Sequence, residues 1–146
     1  MFYILETQKQ VTWGKCLIEL REVIKEVGPL DVNYWLLQDI EQYYGYFFKM
    51  DYQDFIRQTL AEPKGFYVSP DEFRIYCNSD MTLADGSFVA INSNREDDPM
   101  LVLDNFDSGT WHAATANEVI GERLLNSDWE KSSHFPRMRG FPDWGN

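Results

Sequence analysis

The chain has 146 residues, 24 of them acidic and 13 basic, for a formal net charge of −11, and about one residue in six is aromatic (5 Trp, 8 Tyr, 10 Phe). That length suits one compact domain with a core large enough to need no disulfide or metal staple, and the wealth of rings argues against intrinsic disorder. Residues 51–100 carry 10 acids against 4 bases and neither flanking stretch is net positive, so direct nucleic-acid binding and docking on an anionic membrane are disfavoured, while a basic protein would be attracted.

In chain order, residues 2–5 read as a short strand. Thr12 stands as an N-cap, and Trp13, Cys16, Leu17, Leu20, Ile24 and Val27 recur at helical spacing until Gly28-Pro29 ends the run. One amphipathic helix over about 12–27 is expected. Residues 33–48 fit two templates. Leu36, Ile40, Tyr43 and Phe47 make a helical stripe, favouring a helix over about 32–44, while the density of rings also suits two strands around a turn at 38–42. Asp51 and Asp54 resemble a capping box for a helix through Phe55, Ile56, Thr59 and Leu60, stopped by Pro63 and Gly65.

Four strand-like runs follow, at 65–68, 73–77, 87–91 and 100–104, with turn signals at Asp85-Gly86 and Asp107-Ser108-Gly109 and a polar loop over 92–99. Trp111–Ala113 begins another strand, and Thr115-Ala116-Asn117-Glu118 opens a last helix through Val119, Ile120, Leu124 and Leu125. Residues 127–130 offer one more turn. The expected organisation is a single α+β domain over 1–131, mostly antiparallel sheet flanked by three or four helices, followed by an extended tail over 132–146 that lies on the body or hangs free.

Cys16 and Cys77 are expected as buried free thiols of a cytoplasmic protein, with no signal peptide and no apolar run of membrane-spanning length. Phosphate-binding, dinucleotide, zinc-protease, Cys-x-x-Cys and nucleophile-elbow motifs are all missing from the sequence. His112 near Asp104 and Asp107 could orient a nucleophile, but no cysteine is placed beside it by sequence, and a packed strand-end histidine is the simpler expectation. Glu96, Asp97 and Asp98 with Asn94 offer oxygen ligands without the spacing of a calcium loop, so a solvated turn is favoured. No catalytic residue, metal or cofactor is assigned, and enzymatic activity is not expected.

The succession Asp85-Gly86-Ser87-Phe88-Val89-Ala90-Ile91-Asn92, Asp97-Asp98-Pro99-Met100-Leu101-Val102-Leu103-Asp104, Ser108-Gly109-Thr110-Trp111 and the helix 116–125 resembles the later half of the SUKH superfamily. Gly28-Pro29-Leu30, Tyr34, Leu37 and Tyr44-Gly45 echo its earlier part. The resemblance implies an α+β fold and a non-catalytic role, because many bacterial members are immunity proteins that neutralise a toxin domain. The expectation is therefore an acidic inhibitory protein that occludes a basic toxin, such as a nuclease. Its contacts would be Glu96, Asp97 and Asp98, the turn acids Asp104 and Asp107, and the rings Trp111, Trp129 and Trp144, expected to be exposed. Two alternatives stay open: a viral or mobile-element inhibitor that mimics the charge of DNA, and a small-molecule-binding domain or enzyme with an aromatic pocket near His112.

Overall fold

The computed structural model describes residues 2–7, 19–42, 50–61, 63–79, 83–106 and 110–144. Among these residues seven strands, β1 (Tyr3–Thr7), β2 (Tyr34–Gln42), β3 (Phe66–Val68), β4 (Leu83–Ile91), β5 (Leu101–Phe106), β6 (Thr110–Thr115) and β7 (Glu130–Lys131), form one sheet in the order β3-β2-β4-β5-β6-β1-β7. Every neighbouring pair is antiparallel. Helices α1 (Leu20–Val27), α2 (Tyr52–Ala61), α3 (Pro70–Cys77) and α4 (Glu118–Leu125) complete a single α+β domain.

The pleat divides the strands between two cores. Along β4 and β5, Phe88, Ala90, Leu101 and Leu103 pack with the helices, whereas Val89, Ile91 and Val102 point to the opposite face. The helical face is the larger core, and it takes Val23 and Val27 of α1, Phe55 of α2, Phe73 and Tyr76 of α3, and Ile120 and Leu124 of α4. On the other face the tail lies across the sheet. Phe141 and Trp144 are buried against Leu36, Val89, Ile91, Val102 and Ala114, and Phe2, Phe135 and Met138 pack around them.

Four expected elements differ here. Glu19 has extended backbone (φ −84°, ψ 160°) and precedes α1, so the described helix begins at Leu20 rather than near Thr12. Residues 12–18, including Trp13 and Cys16, lie outside the described residues. Its end is as expected, with Gly28 at φ +81° donating its N–H to the Ile24 carbonyl.

Residues 34–42 form a strand, where a helix or a turn between two strands is expected, and the rest of that stretch, with Tyr43 and Phe47, lies outside the described residues. Leu36 and Leu37 are buried on opposite faces of the sheet, so the sequence carries a continuous apolar run that has no period of two and imitates a helix. Asp39, at φ +52°, and a register shift between Gln38 and Glu41 mark a bulge where the turn was expected.

Residues 73–77 belong to α3. Ser69 accepts from the Glu72 N–H, the Glu72 carboxylate accepts from the Ser69 N–H, and Pro70 fills the first helical turn. The further turn expected over 127–130 ends instead in the two-residue strand β7.

Tyr76 and Cys77 sit deep in the helical core, where burial raises both the phenol and the thiol above their ordinary values. A group held neutral in this way supports folding fully below its unfolded pKa, about 8.5 for the thiol and 10 for the phenol. That support is lost as pH rises beyond it. Each group should contribute a decline of about 1.4 kcal/mol per pH unit in that range. Urea midpoints measured from pH 8 to 11 should therefore fall progressively, and Tyr76→Phe should flatten the part of the curve above pH 10.

Candidate functional site

Two polar regions stand out, one inside the molecule and one on its surface. The inner one is a straight row across the tail-covered face. Cross-strand pairing places Gln38 opposite Ser87, Ser87 opposite Asp104, Asp104 opposite His112, and His112 opposite Glu6. Asp104 is almost fully buried (2% exposed).

Its carboxylate is held by Arg137 of the tail. The backbone N–H of Arg137 donates to Oδ2 at 3.0 Å, Nη2 to Oδ1 at 2.6 Å, and Nε to Oδ2 at 3.0 Å. The same Nη2 reaches Asp85 at 2.7 Å and the Asn105 carbonyl at 2.8 Å. The guanidinium lies 5.0 Å from the Phe106 ring centroid. These bonds, with Asp104 first and Asp85 next, raise the guanidinium pKa still further and keep it charged.

His112 stands 4.0 Å from Asp104 through Nδ1 and 3.7 Å from Glu6 through Nε2. A serine-nucleophile relay needs the imidazole between hydroxyl and carboxylate. Here the carboxylate stands between Ser87 and His112 and is engaged by arginine. The row is arranged to fasten the tail, and Gln38 extends it by exchanging two hydrogen bonds with the Arg139 backbone, at 2.9 and 3.0 Å.

The outer region is the β4–β5 connection. Asn92 caps the short 3-10 turn Ser93–Arg95, and Asn33 accepts from the Ser93 N–H at 2.8 Å, tying the loop to the start of β2. Arg95 pairs with Asp98, and Lys64 with Asp97 at 3.2 Å. Glu96 and Asp97 are exposed and Asp98 is half-buried. Next to them Tyr34 and Tyr67 form a ring pair with centroids 4.8 Å apart, and Tyr67 is 56% exposed. The Tyr34 phenol is raised by burial first, then by the negative charge of Glu96, with Tyr67 and Asp97 adding to it.

The expected contact residues therefore separate. Glu96, Asp97 and Asp98 share one surface loop. Asp104 does not join them: it lies within β5, buried under Arg137, not in an exposed turn. Asp107 lies outside the described residues. The three rings expected at the surface are buried: Trp111 in the helical core, Trp129 against that core with its indole N–H on Glu26 at 3.2 Å, and Trp144 under the sheet. Large rings fill interior volume wherever strands alternate or a tail returns, and nothing in their sequence neighbourhood distinguishes that role from an interface one.

The sequence does not mark Tyr34, Tyr67, Arg137 or Arg139 as site residues. Their partners lie on other elements, so no local spacing signals them. Among the described residues no three His, Cys, Asp or Glu side chains converge as a metal site, and no helix is long and apolar enough to cross a membrane. No family model, curated protein or solved structure matches the chain.

Proposed function

We propose that the chain is a non-catalytic inhibitory binding protein of the immunity type, which neutralises a basic toxin domain by occlusion. The observation that supports this reading best is the exposed Glu96–Asp98 loop beside the Tyr34–Tyr67 pair. The loop is held by its own caps and by Asn33, so little ordering entropy would be lost on binding. Carboxylates steer and orient a basic surface, and adjacent tyrosines supply desolvated contact area. The net charge of −11 extends the attraction beyond the contact. The resemblance of residues 85–125 to SUKH immunity proteins points the same way.

The partner to test is the protein encoded next to this one, in a purified binding assay. Glu96→Lys with Asp97→Lys is expected to slow association about tenfold or more at low salt, with the difference shrinking as salt screens it. Tyr67→Ala is expected to act on dissociation instead. A missing complex, or one indifferent to both salt and charge reversal, would sink the proposal.

A further inference from the structure

On the helical side of the sheet, away from the fastened tail, a cleft of about 710 Å³ opens between α1 and α3. That size is in the range of small-molecule sites, roughly 300–1,000 Å³. Its apolar lining includes Ile24, Leu30 and Val32, with Trp35 and Phe73, whose rings stack at 4.0 Å, nearly parallel at 16°.

The charged residues lining it are the unexpected part. Among the described residues Arg21, Lys25 and Arg74 border the cleft, against a single acid, Glu22. This is a local excess of cations on a chain with nearly twice as many acids as bases. Arg21 pairs with Glu19 at 2.7 Å and Arg74 with Asp71 at 3.4 Å. All four of those side chains are about half or more exposed. Solvated pairs of that kind hold their partners weakly, so either guanidinium can turn to a better acceptor.

We infer that this cleft binds an amphipathic organic anion, a carboxylate carried on an apolar ring system or acyl chain. The body would lie among Ile24, Leu30 and Val32 above the Trp35–Phe73 stack, and the carboxylate would meet Arg21, Lys25 and Arg74. Arginine offers the paired N–H geometry that a carboxylate accepts. A neutral ligand of the same shape would use the apolar lining and leave the cations unused. An acidic ligand without an apolar body would stay in water. The site lies apart from the Glu96–Asp98 loop in its lining residues and does not depend on the inhibitory role.

Two pairs of probes test it on the full chain by calorimetry: 1-naphthaleneacetate against 1-naphthaleneacetamide, and decanoate against decanamide. At least one acid is expected to bind tenfold or more tightly than its amide. The surface variant Arg21→Gln/Lys25→Gln/Arg74→Gln should remove that preference and keep the urea midpoint. Glu96→Lys/Asp97→Lys should leave it unchanged. Binding of neither acid at millimolar concentration, equal binding of acid and amide, or a preference that survives the triple variant would each overturn the inference.

Discussion

Replacing Arg137 with methionine should lower the unfolding free energy by about 3 kcal/mol, the lower end of what is lost when one partner of a buried ion pair is removed. The reason is what remains behind. Asp104 keeps a carboxylate whose side chain is only 3% exposed, and its main donors come from Arg137. The lower end applies because Arg137 is itself half exposed, and water can occupy part of the vacated place.

Asp104→Asn should cost less, since a neutral amide tolerates burial better than an unpaired charge. Combining the two should recover part of the loss, giving a coupling of about 1–3 kcal/mol in a double-mutant cycle. Urea unfolding of the four proteins measures this directly. An Arg137→Met midpoint equal to that of the parent would show that the pair contributes nothing to stability.

Removing residues 135–146 should have a larger and different effect. The tail is the cover of the second core, and without it Leu36, Val89, Ile91, Val102 and Ala114 form a contiguous apolar surface. A patch of that kind on a free domain promotes association. The truncated chain is expected to aggregate or oligomerise on size-exclusion chromatography and to bind a hydrophobic dye, each more strongly than the parent measured beside it.

A graded version separates packing from the ion pair. Trp144→Ala keeps Arg137 in place and should cost about 3 kcal/mol, near the lower limit for a buried aromatic, because Trp144 lies at the margin of the core at 8% exposure. A synthetic peptide spanning 132–146, added to the truncated chain, should restore the elution position of the parent. Unchanged elution of the truncated chain alone would mean that the sheet face tolerates water.

The sequence revealed those elements whose signals are local. Asp51 and Pro63 bracket α2, and α4 opens close to the capping box read at Thr115–Glu118, although its cap is Asn117, which accepts from the Ile120 N–H, and not Thr115, which ends β6. β5 and β6 fall where turns and apolar runs place them, whereas β4 starts at Leu83 and runs through Asp85-Gly86, where a turn is expected from the sequence, because both residues pair with neighbouring strands. β2 imitates a helix in sequence because a strand covered on both faces shows no alternation. α3 imitates a strand in sequence although Ser69-Pro70-Asp71-Glu72 is a start signal, since the apolar residues Phe73, Ile75 and Cys77 alternate. In the helix Ile75 is the exposed exception, at 53%.

Of the site, the acidic loop was legible because a run of charge next to Pro99 can hardly be buried. The bond between Arg137 and Asp104 spans 33 residues, and the ring pair of Tyr34 and Tyr67 joins two strands. Such meetings are made by tertiary packing and have no counterpart in sequence spacing.

The pairing of β1 with β6 and β7 has a consequence for how the chain reaches its fold. Tyr3 stands opposite Thr115 and Leu5 opposite Lys131, so strand closure joins positions more than a hundred residues apart. Loop closure over such distances must precede the contacts that reward it, which makes this step slow compared with forming α2 or the β4–β5 hairpin. During synthesis, β2 to β5 can pair early, but they wait for residues 110–144 before either β1 or the second face is satisfied. The interval is the time of greatest exposure to misassembly. A nascent chain whose first 106 residues alone have left the ribosome should hold a half-built sheet with one bare face, the form a chaperone would recognise.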